Sequence, residues 1–498
     1  MRYVAGVAFA VAAFILAFCC VPETGVIYTH DTHSYEYAAT TLLESGTLKY
    51  FGYDTPIIQW PPFYILVLAS LKACGVAVEE GAVWLNAGLF AYLVYVSAMY
   101  LFENLKVKAL AIPALILLTL SVPVIYVSGY GWSEMLFIFL SVLSMVLMLM
   151  YIKRRKVSWF ISSAVVSSLC WLTRYIGITV IAALALVLFI SEKPFVERLK
   201  KTFTYGVFSC FPTSLWVLRN YLLSGTFTGG RQPGEYTLND NLELSLSVFN
   251  EWFSFAIPEI LYISLIYLGL LIIIAIPLKR SKEENGEAST PDLPANFLIV
   301  VFYSVVLLLS ATSTAMDPIN SRLWSPVYPF LVFSVIFLLD VLIRNINVQS
   351  TKGFFAAGFI VFALIFSINP VLWLQSEGFP RKYALLGTKE SLDIKNSPVL
   401  ALTLETLEPS ENTLVISNEA SILTIHTGLK CYYPPKKEGI PLYMFSRYSE
   451  RIRDYKNIYL VWAGPLDSES FMDVSQFGEV FDMERIAQNN YCAIYRLR

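Results

Sequence analysis

Charge is scarce in this sequence. Only 15% of its 498 residues are Asp, Glu, Lys or Arg, against roughly 25% in an ordinary soluble protein. There is no basic excess either: 36 Lys plus Arg stand against 38 Asp plus Glu, for a net charge of −2. That excludes a nucleic-acid binder working through bulk positive charge. Histidine occurs three times, and the seven cysteines form no C-x-x-C pair, so no metal spacing is written in them. Neither a G-x-G-x-x-G fingerprint nor a P-loop is present, which leaves no nucleotide-binding signature. Internal repeats are missing too, which counts against a transporter built from repeated halves. Disorder is excluded by the 56% of hydrophobic residues.

Long uncharged apolar runs are what the chain has instead, and its mean hydropathy is +0.58. A helix crossing hydrocarbon needs about 17–25 apolar residues. Eleven windows qualify: 3–20, 82–102, 109–127, 133–152, 157–173, 175–191, 202–218, 258–278, 295–315, 323–343 and 353–375. Arg174 alone divides the fifth from the sixth, so those two are either a short pair or one bent span. The first window carries Arg2 and an apolar core, as a signal peptide would. Its run ends in Cys19-Cys20 with no clear A-x-A site, so an uncleaved first span is expected. Placing the N-terminus in the cytoplasm and alternating puts sixteen Lys and Arg inside, with Lys153-Arg154-Arg155-Lys156 the densest run. Six fall in the outer segments between spans: Lys49, Lys72, Arg174, Arg219, Arg231 and Arg322. This asymmetry follows the positive-inside rule and sends everything after Gln375 to the extracytoplasmic side.

The expected fold is therefore mainly α: a polytopic transmembrane helical bundle of about 11 spans, with a small extracytoplasmic α/β C-terminal domain. Residues 1–375 form the membrane module, including outer loops 21–81 and 223–257, and residues 376–498 form the outer domain. Inner loops are short; the longest, at 279–294, is acidic and Pro/Ser-bearing and reads as a connector. Chemistry belongs on the outer face. In the tail, Thr413–Ser417, 458–462 and 491–495 read as strands and Ala420–Thr427 as a helix. The tail either covers a membrane-adjacent cavity or acts only as a stabilising cap. Cys431 and Cys492 both fall in it, and a disulfide between them is one reading.

The densest signal lies in the first outer loop, at His30-Asp31-Thr32-His33-Ser34-Tyr35. Tyr35, Ala38, Ala39, Leu42 and Leu43 recur at helical spacing and Gly46 follows, which predicts a short amphipathic helix along the membrane surface with Asp31 at its N-cap. There the helix dipole and free N–H groups favour a charged carboxylate, which can take a proton from a hydroxyl or hold a divalent cation. The bland reading is a cap with no further role. His30, Asp31 and His33 are the candidate ligands for Mg2+ or Mn2+, and polar surface residues are the competing reading. Further on, Asp54 precedes Pro61-Pro62, which start an apolar helix. Asp54 either serves that turn or supplies a second carboxylate.

Motifs in order along the chain carry a resemblance. They are Asp31 just after span one with Tyr35 four residues on, the Leu42-to-Gly46 helix end, and Pro61-Pro62-Phe63-Tyr64. Ser133-Glu134-Met135-Leu136-Phe137, Thr173-Arg174 with Gly177, Trp216 with Arg219-Asn220-Tyr221 and Gly225, and Arg322 with Pro326 and Pro329 follow. In the tail come Ser417-Asn418 and Thr427-Gly428. Together these look like the polyprenyl-phosphate-sugar glycosyltransferases of the GT-C fold, a group that includes the protein O-mannosyltransferases and the lipid A aminoarabinose transferases. Two positions depart from the group. Gln59 stands where some relatives carry Glu, and Ser34 where some carry a basic residue.

The resemblance implies a membrane glycosyltransferase that takes a sugar from a polyprenyl-phosphate donor to an acceptor hydroxyl on lipid, polysaccharide or protein. Asp31 would be the general base, and in-line attack would invert the anomeric carbon. The leaving phosphate needs cations. Arg174, Arg219, Arg231 and Arg322 all map to outer span ends or outer loops, and Arg suits bidentate phosphate recognition; interfacial snorkelling is the competing account. Tyr35, Asp54, Gln59 and Glu134 complete the candidate substrate-binding set, with Asp54 and Glu134 placed to orient sugar hydroxyls. A flippase for lipid-linked saccharides is the runner-up, but it calls for charges well inside spans, where only Asp340 stands beyond the first two residues of a window, the place Glu134 holds in the fourth. A non-enzymatic assembly or anchoring subunit is the third reading.

Overall fold

Among the described residues, the apolar runs of the sequence become helices whose two ends gather at two separate polar layers. The computed structural model describes residues 2–21, 25–27, 29–51, 55–231, 233–253, 292–344, 397–410, 412–435, 452, 455–464 and 471–498. The windows at 258–278 and 353–375 lie outside these residues, as does Asp54. The membrane helices and their neighbours are α1 (Arg2–Cys19), α2 (His30–Ser45), α3 (Phe63–Ala73), α4 (Val78–Asn104), α5 (Ala111–Thr119), α6 (Val122–Ser128), α7 (Glu134–Arg154), α8 (Val157–Thr173), α9 (Ile178–Ser191), α10 (Phe195–Ser224), α11 (Leu238–Phe253), α12 (Asp292–Ser313), α13 (Ser321–Trp324) and α14 (Tyr328–Arg344).

Five helical runs among the described residues are long and apolar enough to cross a membrane: Arg2–Cys19, Val78–Asn104, Glu134–Arg154, Pro294–Ser313 and Ser321–Ile343. The window at 109–127 is not one straight span. It breaks by 44° between α5 and α6, because Ser121 turns extended and caps α6, accepting the Val124 N–H at 3.3 Å. Pro123 follows in the first turn, where a missing N–H costs nothing. The pair divided by Arg174 is a hairpin. Arg174 is extended (φ −146°) between α8 and a 3-10 turn leading to α9. Arg155, just before α8, pairs with Glu192, just after α9, so the two helices run antiparallel. Gly177 sits so close under this turn that a Cβ there would lie 2.7 Å from Trp171 Cα and 2.8 Å from Cys170 O. α10 exposes Phe203, Val207, Phe211, Leu215, Leu218 and Leu222 along one side, the stripe a helix shows to lipid. Its other side buries Tyr205, whose hydroxyl lies 2.7 Å from Ser167 Oγ on α8, a pairing of small polar residues with a neighbour common between membrane helices.

One polar layer pairs lysines and arginines with carboxylates. Lys153 pairs with the fully buried Asp292 at 2.8 Å, Arg154 with Glu103 at 2.7 Å, and Arg155 and Lys201 with Glu192. Asp340 accepts the backbone N–H groups of Lys106 and Val107 at 3.1 and 2.7 Å. The opposite layer holds Asp31, Glu134, Arg174 and Arg322.

After α15 (Pro398–Thr406), the tail forms a five-stranded mixed sheet from β1 (Thr413–Ser417), β2 (Lys430–Tyr432), β3 (Asn457–Ala463), β4 (Met483–Gln488) and β5 (Cys492–Leu497), in the order β2-β1-β3-β5-β4. α16 (Ala420–Thr427) links β1 to β2, which run parallel; β3 is parallel to β1, and β5 is antiparallel to both β3 and β4. Alternate residues separate onto the two faces, as a strand requires. Val415 and Val461 join Leu400 and Leu423 on one side; Leu414, Ile416 and Trp462 join Phe477 on the other. Asn418 continues the β1–β3 pairing with its side chain, donating to Ala463 O at 2.7 Å and accepting from Ala463 N at 3.0 Å. Gly428 ends α16 at φ 69°. The Ser417-Asn418 and Thr427-Gly428 motifs thus build this sheet. Tyr433 meets Phe51 edge-on with ring centroids 6.3 Å apart, which puts this part of the tail on the same side as Asp31.

Cys431 and Cys492 do not pair. β1 and β3 stand between their strands, a separation of about 14 Å at about 4.8 Å per strand, while a disulfide tolerates about 7 Å between Cα atoms. Burial pushes the Cys431 thiol up to about 12, so it stays protonated and inert. Alkylation of unreduced, denatured protein is therefore expected to label both cysteines. A mass short by two hydrogens, with both protected, would contradict this strand order.

Candidate active site

Four segments far apart in sequence are brought to one point. The chain leaves α1 and pairs Ile27 with the turn after α6: Ile27 N–H donates to Gly129 O at 2.8 Å, and Gly131 N–H donates to Ile27 O at 3.2 Å. Buried Asn86 of α4 holds the same turn, donating to Ser128 O and Tyr130 O at 2.9 Å each. Gly131 has to be glycine here, since a Cβ would lie 2.3 Å from Thr32 Cγ2. Thr29, extended at φ −132°, is the N-cap of α2, and its N–H donates to Thr32 Oγ1 at 3.2 Å. Asp31 is therefore not the cap residue; it lies in the first helical turn. A first-turn carboxylate still benefits from the helix dipole. Of the predicted apolar face, Tyr35, Ala38 and Ala39 are buried and Leu42 half-buried, whereas Leu43 is exposed; Gly46 closes the helix at φ 68°.

Arg322 lies on α13, and its helical turn is fastened from three sides. Tyr303 of α12 donates to Leu323 O at 2.7 Å, Trp252 of α11 donates to Ser321 Oγ at 2.7 Å, and Asn320 caps the turn. From there the guanidinium reaches two carboxylates. Its Nη2 is 2.5 Å from Asp31 Oδ2 and its Nε is 2.5 Å from Glu134 Oε1. Arg174 Nη1 contacts that same Glu134 oxygen at 2.6 Å and donates to Ser133 Oγ at 3.1 Å. The ring of Trp132 lies 4.0 Å under the Arg322 guanidinium, stacks on Tyr130, and donates to Thr29 Oγ1 at 2.7 Å. The side chains are 23% exposed for Asp31, 20% for Arg174, 12% for Arg322 and 0% for Glu134. The quartet is neutral as a whole, and Asp31 and Arg174 are its openings to solvent.

Behind Asp31 stand aromatic rings. Tyr35 meets Trp60 and Tyr64 edge-on at 5.1 and 5.2 Å, and Tyr50 stacks on Trp60 at 5.3 Å. Burial, with Asp31 nearby, raises the Tyr50 hydroxyl above its usual range, so it stays protonated.

Of the sequence candidates, Asp31, Tyr35, Glu134, Arg174 and Arg322 come together. Arg219 does not join them. It donates to Ile57 O at 2.5 Å and stacks on Trp216, in a second network that fastens the loop before α3. In that network Asn220 donates to Tyr175 Oη at 2.9 Å and to Phe227 O at 3.1 Å, and Tyr175 donates to Ile58 O at 2.8 Å. Gln59 lies against Gly229 in the same region, and Arg231 is exposed. Arg322 already occupies Asp31 Oδ2, and among the described residues no three His, Cys, Asp or Glu side chains converge as a metal site. Tyr303 and Asn86 went unnoticed in the sequence because nothing in an apolar run marks one tyrosine or amide as a strut.

Two crystal structures share this architecture end to end. ArnT from Cupriavidus metallidurans bound to undecaprenyl phosphate aligns with a TM-score of 0.60 at 13% identity, over 98% of this chain and 97% of that one. The apo state of the same protein gives 0.58 at 14%, over the same shares. The chain has the GT-C fold. No protein-family profile matches it, and no curated protein sequence does. At such identity the likeness concerns the course of the backbone, and the roles of side chains in this GT-C chain have to be argued from its own contacts.

The second network yields a prediction. Asn220→Ala strips donors from Tyr175 and Phe227 at a fully buried site, so a loss of about 1–3 kcal/mol is expected. The readout is a lowered thermal midpoint in detergent; an unchanged midpoint would show that the loop is held by other means.

Proposed function

We propose that this GT-C chain is an integral membrane glycosyltransferase. It moves a sugar from a polyprenyl-phosphate donor to an acceptor hydroxyl on the extracytoplasmic face, with inversion. The acceptor class is a hydroxyl of lipid, polysaccharide or protein. The observation that supports this most is the Asp31–Arg322 contact at 2.5 Å in a bundle whose course follows, over nearly its whole length, a structure holding undecaprenyl phosphate. The layer rich in Lys and Arg is read as cytoplasmic by the positive-inside rule. Asp31 and the described tail then face outward and the N-terminus lies inside. Residues 1–375 act as the catalytic membrane module and 376–498 as an outer α/β domain beside it.

In this mechanism the donor phosphate is gripped by Arg322 and Arg174, the two cations that converge in the quartet. Arginine offers several donors in one plane to phosphate oxygens. Once the phosphate takes Arg322, the Asp31 carboxylate is released to accept the acceptor hydroxyl proton. The oxygen attacks the anomeric carbon from the side opposite the phosphate, the sugar–phosphate C–O bond breaks, and the polyprenyl phosphate leaves with the electron pair. Glu134 stays a proposed contact for a sugar hydroxyl through Oε2, which is buried and has no hydrogen-bond partner among the described residues. Asp54 remains a proposed second carboxylate for the same purpose.

Asp31→Asn is expected to insert normally and lose transfer by at least about 100-fold, the scale of general-base catalysis. The assay supplies purified protein with a radiolabelled polyprenyl-phosphate sugar and membrane extract. Wild-type turnover in the variant would remove Asp31 from the mechanism. Label that crosses vesicles without changing its carrier would favour the flippase reading.

A further inference from the structure

Glu134 has an unusual bonding pattern. An Arg–carboxylate pair commonly uses both oxygens in parallel. Here Arg174 and Arg322 both reach the same oxygen, Oε1, at 2.6 and 2.5 Å. Their bonded nitrogens thus lie within about 5 Å of one another. Oε2 meanwhile has no partner among the described residues although the side chain is wholly buried. Two guanidinium groups held this close repel unless a negative charge stands between them. The backbone supports the arrangement. Glu134 is the first residue of α7, where free N–H groups favour an ionised carboxylate.

We infer that Glu134 is a positioning residue: through one shared oxygen it holds Arg174 and Arg322 as a single two-armed phosphate clamp, and it draws Arg322 partly away from Asp31. This rests on the glycosyltransferase reading above and adds a role that touches neither the phosphate nor the reacting carbon. Without the charge on Glu134, the two guanidinium groups lose their fixed spacing but both stay within reach of a phosphate, which is then held out of line with Asp31 and the acceptor. The local net charge also rises by one, which favours an anion. Phosphate binding and catalysis should therefore respond in opposite directions, a split that general damage to the fold would not produce.

The experiment compares Glu134→Gln with wild type in two readouts. One is kcat for sugar transfer; the other is affinity for a sugar-free polyprenyl phosphate, which isolates the clamp from any hydroxyl contact of Oε2. A fall in kcat of about 10–100-fold is expected, the scale of a misplacement near 1 Å, with polyprenyl-phosphate affinity equal to or tighter than wild type. Glu134→Asp, which restores the charge, should recover part of kcat. Unchanged kcat in Glu134→Gln overturns the inference, and so does loss of kcat and affinity together. A cycle of Arg174→Lys, Arg322→Lys and the double variant tests the same idea should Glu134→Gln fail to insert. Coupled arms give non-additive losses of polyprenyl-phosphate affinity, and additivity within about twofold overturns the clamp. Asp31→Asn separates the two levels. If that variant transfers sugar normally the glycosyltransferase mechanism fails, whereas its loss alongside a missing Glu134 split removes only the positioning role.

Discussion

Two arginines and two carboxylates meeting at one edge of a lipid-facing bundle are the constraint around which the rest is arranged. Two unit charges 4 Å apart interact by about 4 kcal/mol at an effective dielectric near 20, and each charge taken from water carries a desolvation cost. Asp31, Glu134, Arg174 and Arg322 are tolerable together because they alternate in sign. None of the four could be buried beside a like charge alone. The helix after α1, the start of α7, the α8–α9 turn and α13 are thereby tied to one place, and an error in any of them leaves an uncompensated charge.

Around this group the chain uses neutral polar struts and aromatic rings in place of further charge. Asn86 and Ile27 fix the turn that carries Trp132, Ser133 and Glu134. Tyr303 and Trp252 fix the turn that carries Arg322. Tyr175, Trp216 and Asn220 fix the loop ahead of α3. Each strut satisfies a backbone carbonyl or hydroxyl that would otherwise be stranded away from water. The opposite layer answers the same demand with ion pairs such as Lys153–Asp292 and with Asp340 capping the Lys106–Val107 turn.

Much of the fold was legible because lipid imposes a simple rule on sequence: long apolar runs become helices. The windows at 3–20, 133–152 and 157–173 fall on α1, α7 and α8 within two residues. The strand at Thr413–Ser417 and the helix at Ala420–Thr427 were equally plain, since alternation and apolar content change together there. The break inside 109–127 was less visible, because one Ser-Val-Pro in an apolar run signals it and hydropathy averages over it. Asp31 looked like a helix cap because Asp often is one, but Thr29 two residues earlier takes the extended conformation and the cap.

What the sequence determined alone was the inventory: helices of membrane length, the clustering of most Lys and Arg at alternate segment ends, and a short list of candidate carboxylates and arginines. All of that follows from local composition, which lipid and water sort without reference to distant residues. Only the tertiary structure decided which arginines on that list act together. Arg219 turned to the Ile57 carbonyl while Arg174 and Arg322, 148 positions apart by their numbers, converged on one oxygen of Glu134. No spacing rule could have shown this, because the partner of a charged side chain is set by how the helices pack and not by the residues beside it.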